Sequence, residues 1–112
     1  MSRVQEQAAF LLDVTSLIRF ATEEGFVVTG GELERPIEMQ KLHVQAGRST
    51  TMNSYHIKRL AIDLNFFLKG VYVCDKETLQ KIGAYWESLN PKNSWGGNWS
   101  SFKDVPHFER RA

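Results

Sequence analysis

The chain has 112 residues, 42% of them hydrophobic and 12% aromatic, and 14 Lys plus Arg against 13 Asp plus Glu give a formal net charge of +1. That length supports one core and not two; the balanced charge and plentiful large apolar residues exclude a disordered chain and lack the basic surplus of a domain that coats nucleic acid. One cysteine, Cys74, rules out an internal disulfide framework and a Cys-rich zinc finger. Apolar runs of only a few residues cannot span a bilayer, and the opening Met1-Ser2-Arg3-Val4-Gln5-Glu6-Gln7 has no apolar stretch of a signal peptide. The expectation is a soluble single domain over residues 1–112, made in a cytoplasm.

In chain order, Val4, Ala8, Leu11, Leu12, Thr15 and Ile18 recur at offsets of three and four and predict an amphipathic helix, with Ser2 as N-cap and Gly25 as its stop. Phe26-Val27-Val28-Thr29 reads as a short buried strand ending at the Gly30-Gly31 turn. A second helix with a ragged apolar face is expected from Pro36 to about Ala46, followed by a hydroxyl-rich loop at residues 47–54. Leu60 to Phe67 is the clearest strand: Leu60, Ile62, Leu64 and Phe66 form a core face, and Ala61, Asp63, Asn65 and Phe67 form the other. A carboxylate on that second face must be wet, paired or bound to something. After a turn at Gly70, Val71-Tyr72-Val73 returns as a hairpin strand, and Asp75 caps a helix with Leu79, Ile82, Trp86 and Leu89 on its apolar stripe, ended by Asn90-Pro91. The tail carries Trp95-Gly96-Gly97-Asn98-Trp99 and then one further strand. The order αβαββαβ predicts an α+β fold, helices against a small antiparallel sheet.

The residues suited to chemistry are few. A neutral imidazole is the commonest zinc ligand, and a catalytic zinc takes three protein ligands and keeps one open position. Of the three histidines, His56 precedes the strand that presents Asp63, and His107 follows Asp104 near the carboxyl end, whereas His43 lies in a polar stretch and reads as exposed. His56, Asp63 and His107 would close such a site. The alternative is a loop histidine, an Asp63 paired with a nearby Lys or Arg, and a packed His107 ring. Cys74 reads as a packed thiol, Trp86 as core, and Trp95 and Trp99 either wall a substrate cleft or lid the core. Asp104 and His107, three apart, would face opposite ways on a regular strand, and Pro106 opposes a helix, so a bend between them is expected, with His107 and Glu109 on one face of the strand that follows. Glu109 then either orients a ligand histidine or lies at the surface.

The ordered set Ser54-Tyr55-His56, Ala61-Ile62-Asp63-Leu64 and Asp104-Val105-Pro106-His107-Phe108-Glu109 resembles the zinc peptidases of bacterial cell-wall peptides, which include D-alanyl-D-alanine carboxypeptidases and phage L-alanyl-D-glutamate endolysins. Gly31-Glu32-Leu33-Glu34-Arg35-Pro36 and Trp95-Gly96-Gly97 extend the likeness over most of the chain. The resemblance implies a zinc site on the sheet of a hedgehog-like or D,D-peptidase-like fold, with His56, Asp63 and His107 as ligands and Asp104 as catalytic acid/base. It also implies contacts of Arg35, Ser54 and Trp95 with a peptidoglycan peptide. Zinc brings the pKa of its water to about 7, and Asp104 would take that proton and hand it to the leaving amine. Two positions depart from the family pattern. Arg59 stands where a glycine is usual, and no threonine separates Arg35 from Pro36. The favoured activity is L-alanyl-D-glutamate endopeptidase cleavage, because of the Asp in the acid-x-x-His element, the compact chain and the missing export signal, which suits an enzyme held in a host cytoplasm until released to the wall. The alternatives are a D-alanyl-D-alanine carboxypeptidase, which needs an arginine for a free carboxylate, and a zinc-containing cell-wall-binding phage component without activity.

Overall fold

The computed structural model describes residues 2–31, 60–100 and 103–112. The expected helix over 36–46, the loop over 47–54, and with them Arg35, His43, Ser54, His56 and Arg59 lie outside the described residues.

The first helix, α1 (Arg3–Glu23), starts where its sequence provides for the orphaned amides of a helix amino terminus: the Ser2 hydroxyl accepts from the Gln5 N–H at 3.2 Å, and the Gln5 side chain accepts from the Ser2 N–H at 3.0 Å. It stops at Gly25, whose φ of +97° lets the Phe26 N–H return to the Ala21 carbonyl. Its buried face is not the expected one. Phe10, Val14, Leu17 and Ala21 point inward, whereas Val4, Leu11 and Leu12 are exposed. Both sets have helical spacing, and tertiary contact selects between them: Phe10 meets the edge of the Trp86 ring, with centroids 5.6 Å apart. The second described helix, α2 (Lys76–Leu89), turns Leu79, Ile82 and Trp86 into the core, as its stripe predicts.

Five strands form one antiparallel sheet: β1 (Val27–Gly30), β2 (Ala61–Leu68), β3 (Val71–Val73), β4 (Asn93–Trp95) and β5 (His107–Arg110). β1 lines one edge of β2; the other edge is shared by β5, opposite residues 61–63, and by β3, opposite residues 66–68. β4 adds to the far side of β5. The β2–β3 hairpin closes through Lys69 and Gly70, both at positive φ, as a two-residue loop with that twist requires. The tail thus holds two strands where one was expected, because Asn93–Trp95 is too short to show a period. The strand after α1 runs one residue later than expected and lies at the sheet edge among the described residues, with Val27 exposed.

Alternation along β2 and β5 divides the sheet. Ile62, Leu64, Phe66 and Phe108 pack under the two helices, each such side chain stabilising the fold by about 1.5–3 kcal/mol. Asp63 and Asn65, with His107 and Glu109 from β5, take the outer face. The Trp86 indole N–H donates to the Glu109 carbonyl at 3.1 Å and so ties α2 to β5. A buried polar cluster ties α1 to the same strand: Arg110, 2% exposed, contacts Asp13 and Glu6 on α1 and donates to Asn93 Oδ1 on β4. No described helix is long and apolar enough to cross a membrane.

Two predictions test these supports. Removing one partner of a buried ion pair leaves a stranded charge, so Asp13→Ala should cost about 3 kcal/mol in urea unfolding; a loss under about 1 kcal/mol would show that Arg110 does not depend on it. The Asp75 carboxylate caps α2, and the side-chain and backbone hydrogen bonds from Thr78 hold its pKa below the ordinary 3.8. A depressed carboxylate contributes stability that is present above the unfolded value and lost as pH falls through the folded one. The wild type should therefore lead Asp75→Asn in urea midpoint at pH 6, and the lead should close below pH 3.8; a gap independent of pH contradicts this.

Candidate metal centre

Register, before any chemistry, brings Asp63 and His107 together. They are directly opposed on β2 and β5, and both point away from the core. The His107 Nδ1 lies 3.1 Å from Asp63 Oδ1. Asp104 arrives by a turn: the His107 N–H donates back to the Asp104 carbonyl at 3.1 Å, giving the expected bend between these residues. The Asp104 N–H in turn donates to the Gly96 carbonyl at 3.1 Å, and a Cβ at Gly96 would lie 2.0 Å from the Asp104 carbonyl oxygen. Only glycine admits that approach, which seats Asp104 beside the outer face.

One ligand atom each from Asp63, Asp104 and His107 lies within 4.8 Å of the others. Two carboxylates and an imidazole at that separation form a donor set able to hold a cation. Burial works against the charged form of the His107 ring, yet hydrogen bonds to Asp63 and Glu109, with the charges of both carboxylates, push its pKa up to about 9. The donor set of oxygens and one nitrogen suits a divalent ion of borderline softness.

Behind the ring, Glu109 Oε1 is 2.7 Å from His107 Nε2, and its Oε2 accepts from Arg111 Nε at 2.7 Å. Burial raises the Glu109 carboxyl, but the hydrogen bonds from His107 and Arg111 and their charges outweigh it and hold the group below the usual glutamate range. Of the two readings of Glu109, the one that orients the histidine matches this contact.

Several expected positions fall otherwise. Trp95 has no exposed surface to offer a substrate. Its indole N–H donates to the Val105 carbonyl at 2.8 Å, and a Cβ at Gly83 would come within 2.1 Å of its ring, so it is a core residue and its expected substrate contact is withdrawn. Trp99 instead lies at the site, its ring centroid 5.2 Å from that of His107. The 3₁₀ turn at Gly96–Asn98 carries it there, and no periodicity announces such a turn. Cys74 is exposed and not packed, because it follows the short edge strand β3. Arg110 points to the opposite face by strand alternation and binds Asp13.

Comparison with known proteins agrees with this geometry. A family model described as D-alanyl-D-alanine carboxypeptidase matches residues 47–110. The L-alanyl-D-glutamate peptidase of Listeria phage A118 is 35% identical over 98 residues, covering 83% of this chain and 34% of that protein. The chain thus spans about a third of the length of this relative. The crystal structure of a Serratia marcescens L-Ala D-Glu endopeptidase superposes with a TM-score of 0.71 at 27% identity, over 88% of this chain and 77% of the other. This chain and that endopeptidase share the α+β fold with its small antiparallel sheet. With more than half of its length matched by the family model and its candidate ligands on the outer face of the sheet, the chain belongs to the metal-dependent peptidase family of the D-alanyl-D-alanine carboxypeptidases.

Proposed function

We propose that this chain is a zinc-dependent peptidoglycan hydrolase that cleaves the bond between L-alanine and D-glutamate in wall stem peptides. The meeting of Asp63, Asp104 and His107 within 4.8 Å carries the reading, and the names of the phage and Serratia relatives support the choice of bond. Asp63 and His107, through Nδ1, would hold the metal, with His56 as the third ligand that the resemblance to cell-wall peptidases implies. Bound zinc supplies Lewis acidity toward the scissile carbonyl and acidifies water.

The other steps belong to side chains. Asp104 sits in the same cluster with the strand-breaking Pro106 behind it, and its carboxylate takes the proton of the attacking water and returns it to the leaving amine. Asp63, on rigid β2, fixes the site relative to the sheet. Arg35 meets the developing negative charge on the substrate and Ser54 contacts the peptide; both roles rest on the sequence pattern. The trio lies on the face of the sheet turned away from the helices, and the substrate is a wall peptide, so the enzyme acts at the cell wall.

Purified protein incubated with muropeptides should expose new amino termini on D-glutamate, and a chelator should abolish the product. Release of terminal D-alanine would assign the carboxypeptidase activity that the family description names. No cleavage at all, with zinc bound, would make the chain a wall-binding component. Asp104→Asn should lower turnover by about 10²-fold or more while one zinc per chain remains, since it removes the proton acceptor and keeps the shape; full activity in that variant contradicts the assignment.

A further inference from the structure

Four side chains form a closed circuit behind the His107 ring. Glu109 Oε1 meets His107 Nε2 at 2.7 Å, and Glu109 Oε2 meets Arg111 Nε at 2.7 Å. The Arg111 guanidinium lies over the Trp99 ring at 5.4 Å, and that ring lies 5.2 Å from His107. Trp99 is itself anchored, because its indole N–H donates to Ser94 Oγ at 2.9 Å. Glu109 is almost wholly covered, whereas the Arg111 side chain is 55% exposed.

A neutral imidazole has one N–H and one lone pair, and which nitrogen carries which is decided by the partner of the other. A ligand imidazole is neutral, and Glu109, which only accepts, keeps its one proton on Nε2, so that with an ion on the Asp63 side Nδ1 is the nitrogen left to donate to it. The glutamate side chain has three rotatable torsions, and one hydrogen bond does not fix them all. With its second oxygen held by a guanidinium that is stacked on an anchored indole, the carboxylate keeps one orientation.

We propose that Arg111 is a positioning residue of the metal centre, acting through Glu109 to hold His107 in the ring orientation and tautomer that present Nδ1 to the ion. This rests on the reading of His107 as a ligand. Arg111 is half exposed, and the covered Glu109 keeps its hydrogen bond to His107 when the guanidinium is lost, so the effect of Arg111 belongs in metal affinity and not in stability. Trp99 completes the device by fixing the plane of the guanidinium.

Zinc dissociation constants, measured by competition with a chromophoric chelator, test this on the wild type, Arg111→Ala, Arg111→Lys, Glu109→Gln and the Arg111→Ala/Glu109→Gln double variant. Arg111→Ala should weaken zinc binding about tenfold, in the range seen when groups behind a metal ligand are lost, with the metal-free melting temperature unchanged. Arg111→Lys, which keeps a donor for Oε2, should recover most of that loss. The double variant should bind no more weakly than Glu109→Gln alone, since Arg111 acts only through the carboxylate. Binding within about twofold of wild type in Arg111→Ala, an equal loss in both backgrounds, or a matching fall in metal-free stability overturns the proposal and leaves the metal site standing. A wild type that binds no zinc overturns the ligand reading and this inference together.

Discussion

One cross-strand pair governs the outer face of this protein. Asp63 and His107 oppose each other on β2 and β5, and because side chains alternate along a strand, that single register decides the facing of both strands. A slip of one residue would put Ile62 and Phe108 in water and the carboxylate and imidazole in the core. The hydrophobic side therefore enforces the polar one: Ile62, Leu64, Phe66 and Phe108 are held by the helices, and the carboxylate and imidazole are placed by exclusion. The free energy that aligns Asp63 with His107 comes from apolar burial on the reverse of the sheet, and the mutual attraction of the two groups adds only the final approach.

Support for β5 comes from several directions. Trp86 on α2 donates to its backbone, Arg110 reaches through the core side to Asp13 on α1, and the fully buried Trp95 fills the space between α2 and the turn that carries Asp104. The family model begins at residue 47, yet α1 is bonded to the strand that carries His107, so this helix is part of the scaffold of the site. The buried guanidinium of Arg110 lies among two carboxylates and an amide, hydrogen-bonded to Asp13 and Asn93 and in a longer ion pair with Glu6.

Much of this was legible in the residues themselves. The period of two from Leu60 to Phe67 separates Asp63 from the core, and the structure keeps that separation with the strand one residue later. Caps at Ser2 and Asp75 and the stop at Gly25 are local chemistry and are found where expected. The bend before His107 followed from Pro106 and from the impossibility of two residues three apart sharing a strand face. What stayed hidden depends on distant contacts. Two apolar stripes compete on α1, and contacts with the core, Phe10 on Trp86 among them, select between them. Trp95 and Trp99 look alike among glycines, yet one is buried against Gly83 and the other stands beside His107, because the short turn between them reverses their facing. The assignments of His56, Arg35 and Ser54 still rest on sequence pattern, since those residues lie outside the described part of the chain.

The central claim is that Asp63 and the Nδ1 of His107 share one divalent ion, with Glu109 on the far nitrogen. Anomalous diffraction at the zinc edge from crystals grown with the metal measures this directly. The account predicts one strong peak within about 2.0–2.2 Å of an Asp63 oxygen, of His107 Nδ1 and of the His56 imidazole. A peak bound at Nε2 with Glu109 displaced, or zinc found only at other residues, would contradict it.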